Sequence, residues 1–178
     1  MKRSLILSLF SFLFASCSIN SDVYTNEKDT LNFQDFLQDS LIGWGIFEDR
    51  GGQVIKRFRI DMEADWKGNH CRFIENFSFS DGTKQRREWQ ITQIDKSHFE
   101  AVANDSVGIG KGTVFGNSVH WEYHIAIDTE SFGKQTVKFD YWMHKIDDDT
   151  LMNRANVTKL GIKMGEVSVV FRKAKAIP

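Results

Sequence analysis

Phe58-Arg59-Ile60-Asp61-Met62-Glu63-Ala64-Asp65-Trp66 alternates without a break between apolar and charged side chains. A strand sends successive side chains to opposite faces, so this run acquires one greasy face and one charged face. The 3.6-residue period of a helix would scatter the same charges around its surface. The pattern reaches back to Val54, with Arg57 on the charged face, and recurs along the chain. Cys71, Phe73, Phe77 and Phe79 alternate with Arg72, Asn76, Ser78 and Ser80. Trp121, Tyr123, Ile125 and Ile127 alternate with His120, Glu122, His124 and Asp128. Val137, Phe139, Tyr141 and Met143 form another such run, as do Val167, Val169 and Phe171.

Turn chemistry separates the runs. Asp49-Arg50-Gly51-Gly52, Ser80-Asp81-Gly82-Thr83, Gly116-Asn117, Asp147-Asp148-Asp149 and Leu160-Gly161 carry the residues that tight hairpins need. Ten strands are predicted, at 43–49, 53–66, 70–79, 86–95, 98–104, 107–116, 118–128, 135–146, 149–158 and 161–172. Short loops between consecutive strands give an antiparallel up-and-down meander. Closing it hides its edges, so the expected fold is an all-β barrel of about ten strands; a two-sheet sandwich is the rival. Phe33, Phe36 and Leu37 have helical spacing after a capping Asn32, which predicts a short N-terminal helical turn at one barrel end.

The chain opens differently. Lys2 and Arg3 precede an apolar run from Leu5 to Ala15. That run is shorter than the ~20 residues that span a bilayer, but it matches the core of a secretory signal. Phe14-Ala15-Ser16-Cys17 ends it. Small residues before a cysteine resemble the bacterial lipoprotein signal, which implies cleavage after Ser16 and lipid on Cys17. Ser18 in place of Asp implies the outer membrane, with the domain facing the periplasm. An ordinary signal peptide with an incidental cysteine is the alternative. The expected organisation is a signal at 1–16, a lipidated, flexible tether at 17–30, a barrel at 31–173 and a tail at 174–178. The net charge is −1. Such a chain lacks the basic surface of a nucleic-acid binder, so no nucleic-acid partner is expected.

Several stretches resemble one family of bacterial lipoproteins, catalogued as domain of unknown function 3833. They include Gly43-Trp44-Gly45-Ile46-Phe47-Glu48-Asp49-Arg50-Gly51-Gly52, Arg87-Glu88-Trp89, Asp105-Ser106-Val107-Gly108-Ile109-Gly110, Phe139-Asp140-Tyr141-Trp142-Met143 and Gly161-Ile162-Lys163-Met164-Gly165-Glu166. The resemblance covers residues 31–173 and implies a lipocalin-like barrel with a link to lipid handling. A looser resemblance is to the lipocalins themselves, in which a Gly-x-Trp first strand is covered by a basic residue of the last. It implies that Arg172 covers Trp44 and closes the barrel bottom, although Gly43-Trp44 departs from the spacing by one residue. The alternative leaves Trp44 in the core and Arg172 in water.

Phe73, Phe77, Trp89, Trp121 and Tyr123 are expected to line the interior, and Glu75 shares the parity of Phe73 and Phe77. A carboxylate on that face must be paired or hold a proton. It either orients a ligand or forms a structural pair with an inward Arg87. Asp140, opposite in parity to Phe139 and Tyr141, is a second candidate inward carboxylate if the strand is buried on both faces or a bulge switches its parity. Otherwise it bonds backbone or Arg154. Glu75 with Asp140 would be the pair for acid–base chemistry. Gly108, Gly110 and Gly112 fall on one face and leave room for a ligand or let the strand curve. In His120-x-Glu122-x-His124 the two imidazoles stand ~13 Å apart along a strand, so the three cannot share one ion; a pair with a residue from another strand is the alternative to a solvated outer face, and no metal is expected. No cofactor is expected either.

The sequence therefore points to a monomeric, outer-membrane-anchored lipoprotein that binds or carries a hydrophobic small molecule, such as a fatty acyl chain (palmitate, for example) or another lipid. Its membrane contact would run through the lipid anchor. Two alternatives stand beside it: a barrel enzyme using inward carboxylates on a lipid or isoprenoid, and a scaffold lipoprotein with a filled core.

Overall fold

In the computed structural model, which describes residues 19–129 and 133–174, the meander closes on itself. The strands are β1 (Asp39–Asp49), β2 (Val54–Lys67), β3 (His70–Phe79), β4 (Lys84–Gln93), β5 (His98–Ala103), β6 (Gly110–Phe115), β7 (Ser118–Thr129), β8 (Gly133–Asp147), β9 (Thr150–Lys159) and β10 (Ile162–Lys173). Each pairs antiparallel with its predecessor, and β1 pairs with β10 from Leu41↔Lys173 to Asp49↔Gly165. That last ladder removes the free edges a sandwich would keep, so the fold is a closed, lipocalin-like up-and-down barrel. Residues 1–16, expected as a signal, and Cys17 lie outside the described residues.

Alternation decides what is inside. Ile60, Met62, Cys71, Phe73, Trp89, Ile91, Trp121, Ile125 and Tyr141 are all buried, while their charged neighbours stay outside. There Arg72 and Arg86 both bond Glu88, holding its carboxyl down at about 2. Two short helices precede β1: α1 (Asp22–Thr25) and α2 (Phe33–Phe36). α2 is one turn long, and its Asn32 cap accepts the Asp35 N–H at 3.3 Å. Phe33 and Phe36 turn into the barrel, and Phe33 meets Phe99 edge-on at 5.2 Å. The Trp66 indole N–H donates to the Leu37 carbonyl at 2.6 Å and holds the turn in place. α2 thus floors the barrel. The other end is a mouth: burial falls along β3 from Cys71 and Phe73 to Phe77 and Phe79, and along β2 from Met62 and Ile60 to Phe58.

Inward glycines are notches for aromatic rings of the neighbouring strand. A Cβ on Gly112 would strike the Trp121 indole, one on Gly45 the Phe58 ring, and one on Gly165 the Phe47 ring. A Cβ on Gly110 would instead meet the Tyr123 Cβ and the backbone oxygens of Ala101 and Glu122. These glycines therefore seat side chains rather than leave space for a ligand, the pairing known to stabilise glycine in sheets. Gly108 is apart from them, in the β5–β6 loop with φ +78°.

Part of the span expected as a flexible tether is seated on the wall. Tyr24 of α1 packs against Trp142 and His144, each at 5.1 Å between ring centroids. Lys145 meets Asp29 at 2.6 Å, and the Leu31 N–H donates to the Gly116 carbonyl at 2.8 Å. This explains the aromatics on both faces of β8. Phe139 and Tyr141 point inward, and Trp142 is buried on the outside, beneath Tyr24. Among the described residues no helix is long and apolar enough to cross a membrane.

Candidate functional site

The barrel encloses an apolar cavity of about 330 Å³. Phe33, Phe36 and Leu37 form its floor, and Phe47, Phe58, Phe79 and Ile127 ring the mouth. The expected lining residues Phe73, Glu75, Phe77, Trp89, Trp121 and Tyr123 all face this space, because all keep the inward parity of their strands. Tyr123 stacks on Phe139 at 5.2 Å and meets Trp89 edge-on at 5.0 Å, giving one wall a continuous aromatic surface.

One polar cluster interrupts it. Glu75 and Arg87 are direct cross-strand partners in the β3–β4 ladder. Glu75 Oε2 accepts the Trp89 indole N–H at 2.9 Å and lies 3.8 Å from an Arg87 terminal nitrogen. Arg87 Nε donates to both oxygens of Asp105, at 2.9 and 3.0 Å. Burial pushes the Glu75 carboxyl up, and the Arg87 charge and the Trp89 bond only partly pull it back. The same burial raises the phenols of Tyr123 and Tyr141. Two residues that line the cavity each carry a buried polar atom with no partner among the described residues: Trp121 Nε1 and Asn153 Oδ1.

Asp140 does not join this site. It keeps the outward parity of β8, where it bonds His120 Nε2 at 2.9 Å, not Arg154, which pairs with Glu166. Partial burial pushes the Asp140 carboxyl up, but the His120 bond and the Lys138 charge outweigh it and hold the carboxyl below its ordinary value. His120, Glu122 and Asp140 bring their ligand atoms within 4.8 Å of one another on this outer wall. The Lys138 ammonium bonds Glu122 and lies 3.5 Å from Asp140, so a protein cation already balances the carboxylates. The proposed acid–base pair of Glu75 and Asp140 is thus split across the wall.

Trp44 and Arg172 do not close the barrel. Gly43 and Gly45 take the inward positions, so Trp44 points out and is 47% exposed. The one-residue departure from Gly-x-Trp flips the indole to the other face, as period two requires. Its cationic neighbour is Arg59, directly opposite on β2 with its guanidinium 5.9 Å from the ring, while Arg172 pairs across from Ile42. Cys71 is a buried thiol, pushed up to about 12 chiefly by desolvation.

Sequence reasoning missed Asp105 and Asn153. Asp105 continues the parity of Phe99, Ala101 and Ala103 past the end of β5, and Asn153 sits between inward Leu151 and Ala155. Both signals are single polar residues in an apolar register.

Comparison with known proteins agrees with the fold. The S-type phycobiliprotein lyase CPES from Guillardia theta is similar with a TM-score of 0.57 at 8% identity, over 82% of this chain and 95% of that one. No curated protein matches the sequence. The profile described as Protein of unknown function (DUF3833) matches residues 11–173. That match spans nearly the whole chain and takes in every strand and the polar cluster, so the chain belongs to the DUF3833 family.

Proposed function

We propose that the barrel binds a single hydrophobic small molecule, of the size of one medium-length acyl chain, taken up through the mouth opposite α2. The observation that carries this reading is the cavity itself. It is apolar, open at one end, and within the ~300–1,000 Å³ range of small-molecule sites. At roughly 30 Å³ per water-sized group, it has room for about eleven such groups. Removing an apolar chain from water contributes about 0.8 kcal/mol per methylene, which makes the aromatic wall the source of affinity. The open volume argues against a filled-core scaffold, and the outward Asp140 argues against a two-carboxylate enzyme.

An uncharged fluorescent probe that brightens in apolar surroundings tests the reading. It should bind one to one. Ala155→Phe fills the lining between Tyr141 and Val157 and should abolish binding while the far-UV signal of the barrel persists. Ala101→Leu, on the far wall, should weaken it. No saturable probe binding to the folded wild-type chain would refute the reading.

The same reading places the protein on the periplasmic side of the outer membrane, tethered through lipid on Cys17. Support comes from the sequence Phe14-Ala15-Ser16-Cys17. Metabolic labelling with a tagged fatty acid should mark the wild-type chain and not Cys17→Ser; equal labelling of both would refute it.

A further inference from the structure

We propose that the cavity selects an uncharged ligand able to donate and accept hydrogen bonds, such as a chain alcohol or primary amide, and rejects a fatty-acid anion. This rests on the ligand-binding reading above and narrows its substrate class. The first support is charge. Arg87 is the interior cation of the lining, and two carboxylates already share it: Asp105 at 2.9 Å and Glu75 at 3.8 Å. Lys56 stands at the mouth, 47% exposed and 3.4 Å from Asp81. An incoming carboxylate would crowd a guanidinium that already has the Asp105 carboxylate and the Glu75 carboxyl beside it, in a water-poor space where like charges repel far more strongly than in bulk. The second support is independent of charge. Trp121 Nε1 and Asn153 Oδ1, on lining residues of β7 and β9, are buried with no partner among the described residues; Trp121 is only 3% and Asn153 only 6% exposed. Buried polar atoms are nearly always satisfied, so an orphaned donor and an orphaned acceptor on two residues that line one cavity mark places where a guest's polar atoms belong once those side chains turn to meet it. A carboxylate only accepts and would leave Asn153 Oδ1 unmet; a hydroxyl or amide can serve either atom.

The test is competition on the full-length chain. The bound uncharged probe is displaced at about pH 8 by a medium-chain alcohol, by the primary amide and by the carboxylate of equal length. The alcohol and the amide should displace it at concentrations at least about tenfold below the carboxylate, a free-energy gap of ~1.4 kcal/mol. Glu75→Gln removes one anion and should narrow the gap by strengthening the carboxylate. Asn153→Leu should weaken the alcohol and amide at least about threefold and leave the carboxylate unchanged. A wild-type barrel that binds the carboxylate as tightly as the alcohol, or more tightly, overturns the proposal while the ligand-binding reading survives. A chain that fails to hold the probe at all overturns both.

Discussion

Replacing Gly112 by alanine tests the idea that notched glycines build the aromatic wall. Gly112 lies in β6 without a positive φ, so its backbone suits any residue. Intrinsic preference alone predicts that alanine stabilises a strand interior by about 0.5–1 kcal/mol over glycine. The structure predicts the opposite sign. A Cβ there would lie 2.5 Å from Trp121 Cε2, 2.6 Å from Cζ2 and 2.7 Å from Cδ2, well inside ordinary contact. The indole would have to retreat by most of an ångström. Phe33 at 5.9 Å and Phe99 at 6.3 Å hold it on the floor side, so the retreat disturbs α2 as well. Overpacking of this kind costs about 1–3 kcal/mol, which after the intrinsic gain leaves a net loss of about 1 kcal/mol at mid-range and at most about 2.5 kcal/mol. For a domain of this size the mid-range loss lowers Tm by about 2–4 °C, and the largest by about 10 °C. Urea unfolding followed by far-UV circular dichroism gives the free energy, and near-UV dichroism reports the displaced indole. A Gly112→Ala protein as stable as wild type, or more so, with an unchanged near-UV spectrum, would refute the notch argument.

Other perturbations separate the remaining parts of the account. Because burial raises Glu75 above its ordinary 4.5, the folded state holds that proton more tightly than the unfolded one. The linkage stabilises the fold fully below pH 4.5 and is lost as pH climbs through the raised value, so the stability of Glu75→Gln relative to wild type should rise with pH over that window. A difference that stays flat from pH 4 to 8 in denaturant titrations would contradict this. Asp105→Ala strips Arg87 of its forked partner inside the wall and should cost about 3 kcal/mol, partly recovered in the Asp105→Ala/Arg87→Met double variant. Equal losses in both variants would mean the pair is not what matters. Trp44→Ala should cost less than about 1 kcal/mol and Arg172→Ala almost nothing, since the half-exposed indole lies outside the barrel beside Arg59, not Arg172; a large, coupled loss in the two would restore the barrel-closing role.

Much of the barrel was legible in the sequence because period two is a strong signal wherever one face is charged. Phe58–Trp66 and Trp121–Asp128 needed no tertiary information to sort their side chains, and Gly-rich or acidic turns marked the hairpins. The site was partly legible for the same reason: Glu75 among phenylalanines, with Arg87 opposite, follows from parity. What could not be read was set by contacts between distant parts of the chain. β8 carries aromatics on both faces because α1, more than a hundred residues earlier, covers its outside with Tyr24, and nothing local to Asp140 distinguishes inside from outside there. Asp105 escaped because it joins the site from a loop, and the glycines of β6 were ambiguous until the rings that fill them were in place. The Trp44 reading failed on a single residue of spacing, which in a strand is a half-turn of the side chain.

Native mass spectrometry of the intact chain purified gently from its host cells tests the central claim most directly. The account predicts a discrete added mass of one small apolar molecule per chain, absent from Ala155→Phe and recoverable in organic extract as an uncharged, hydrogen-bonding compound. A folded wild-type barrel that carries no guest, and acquires none when incubated with total lipid extract, would contradict it.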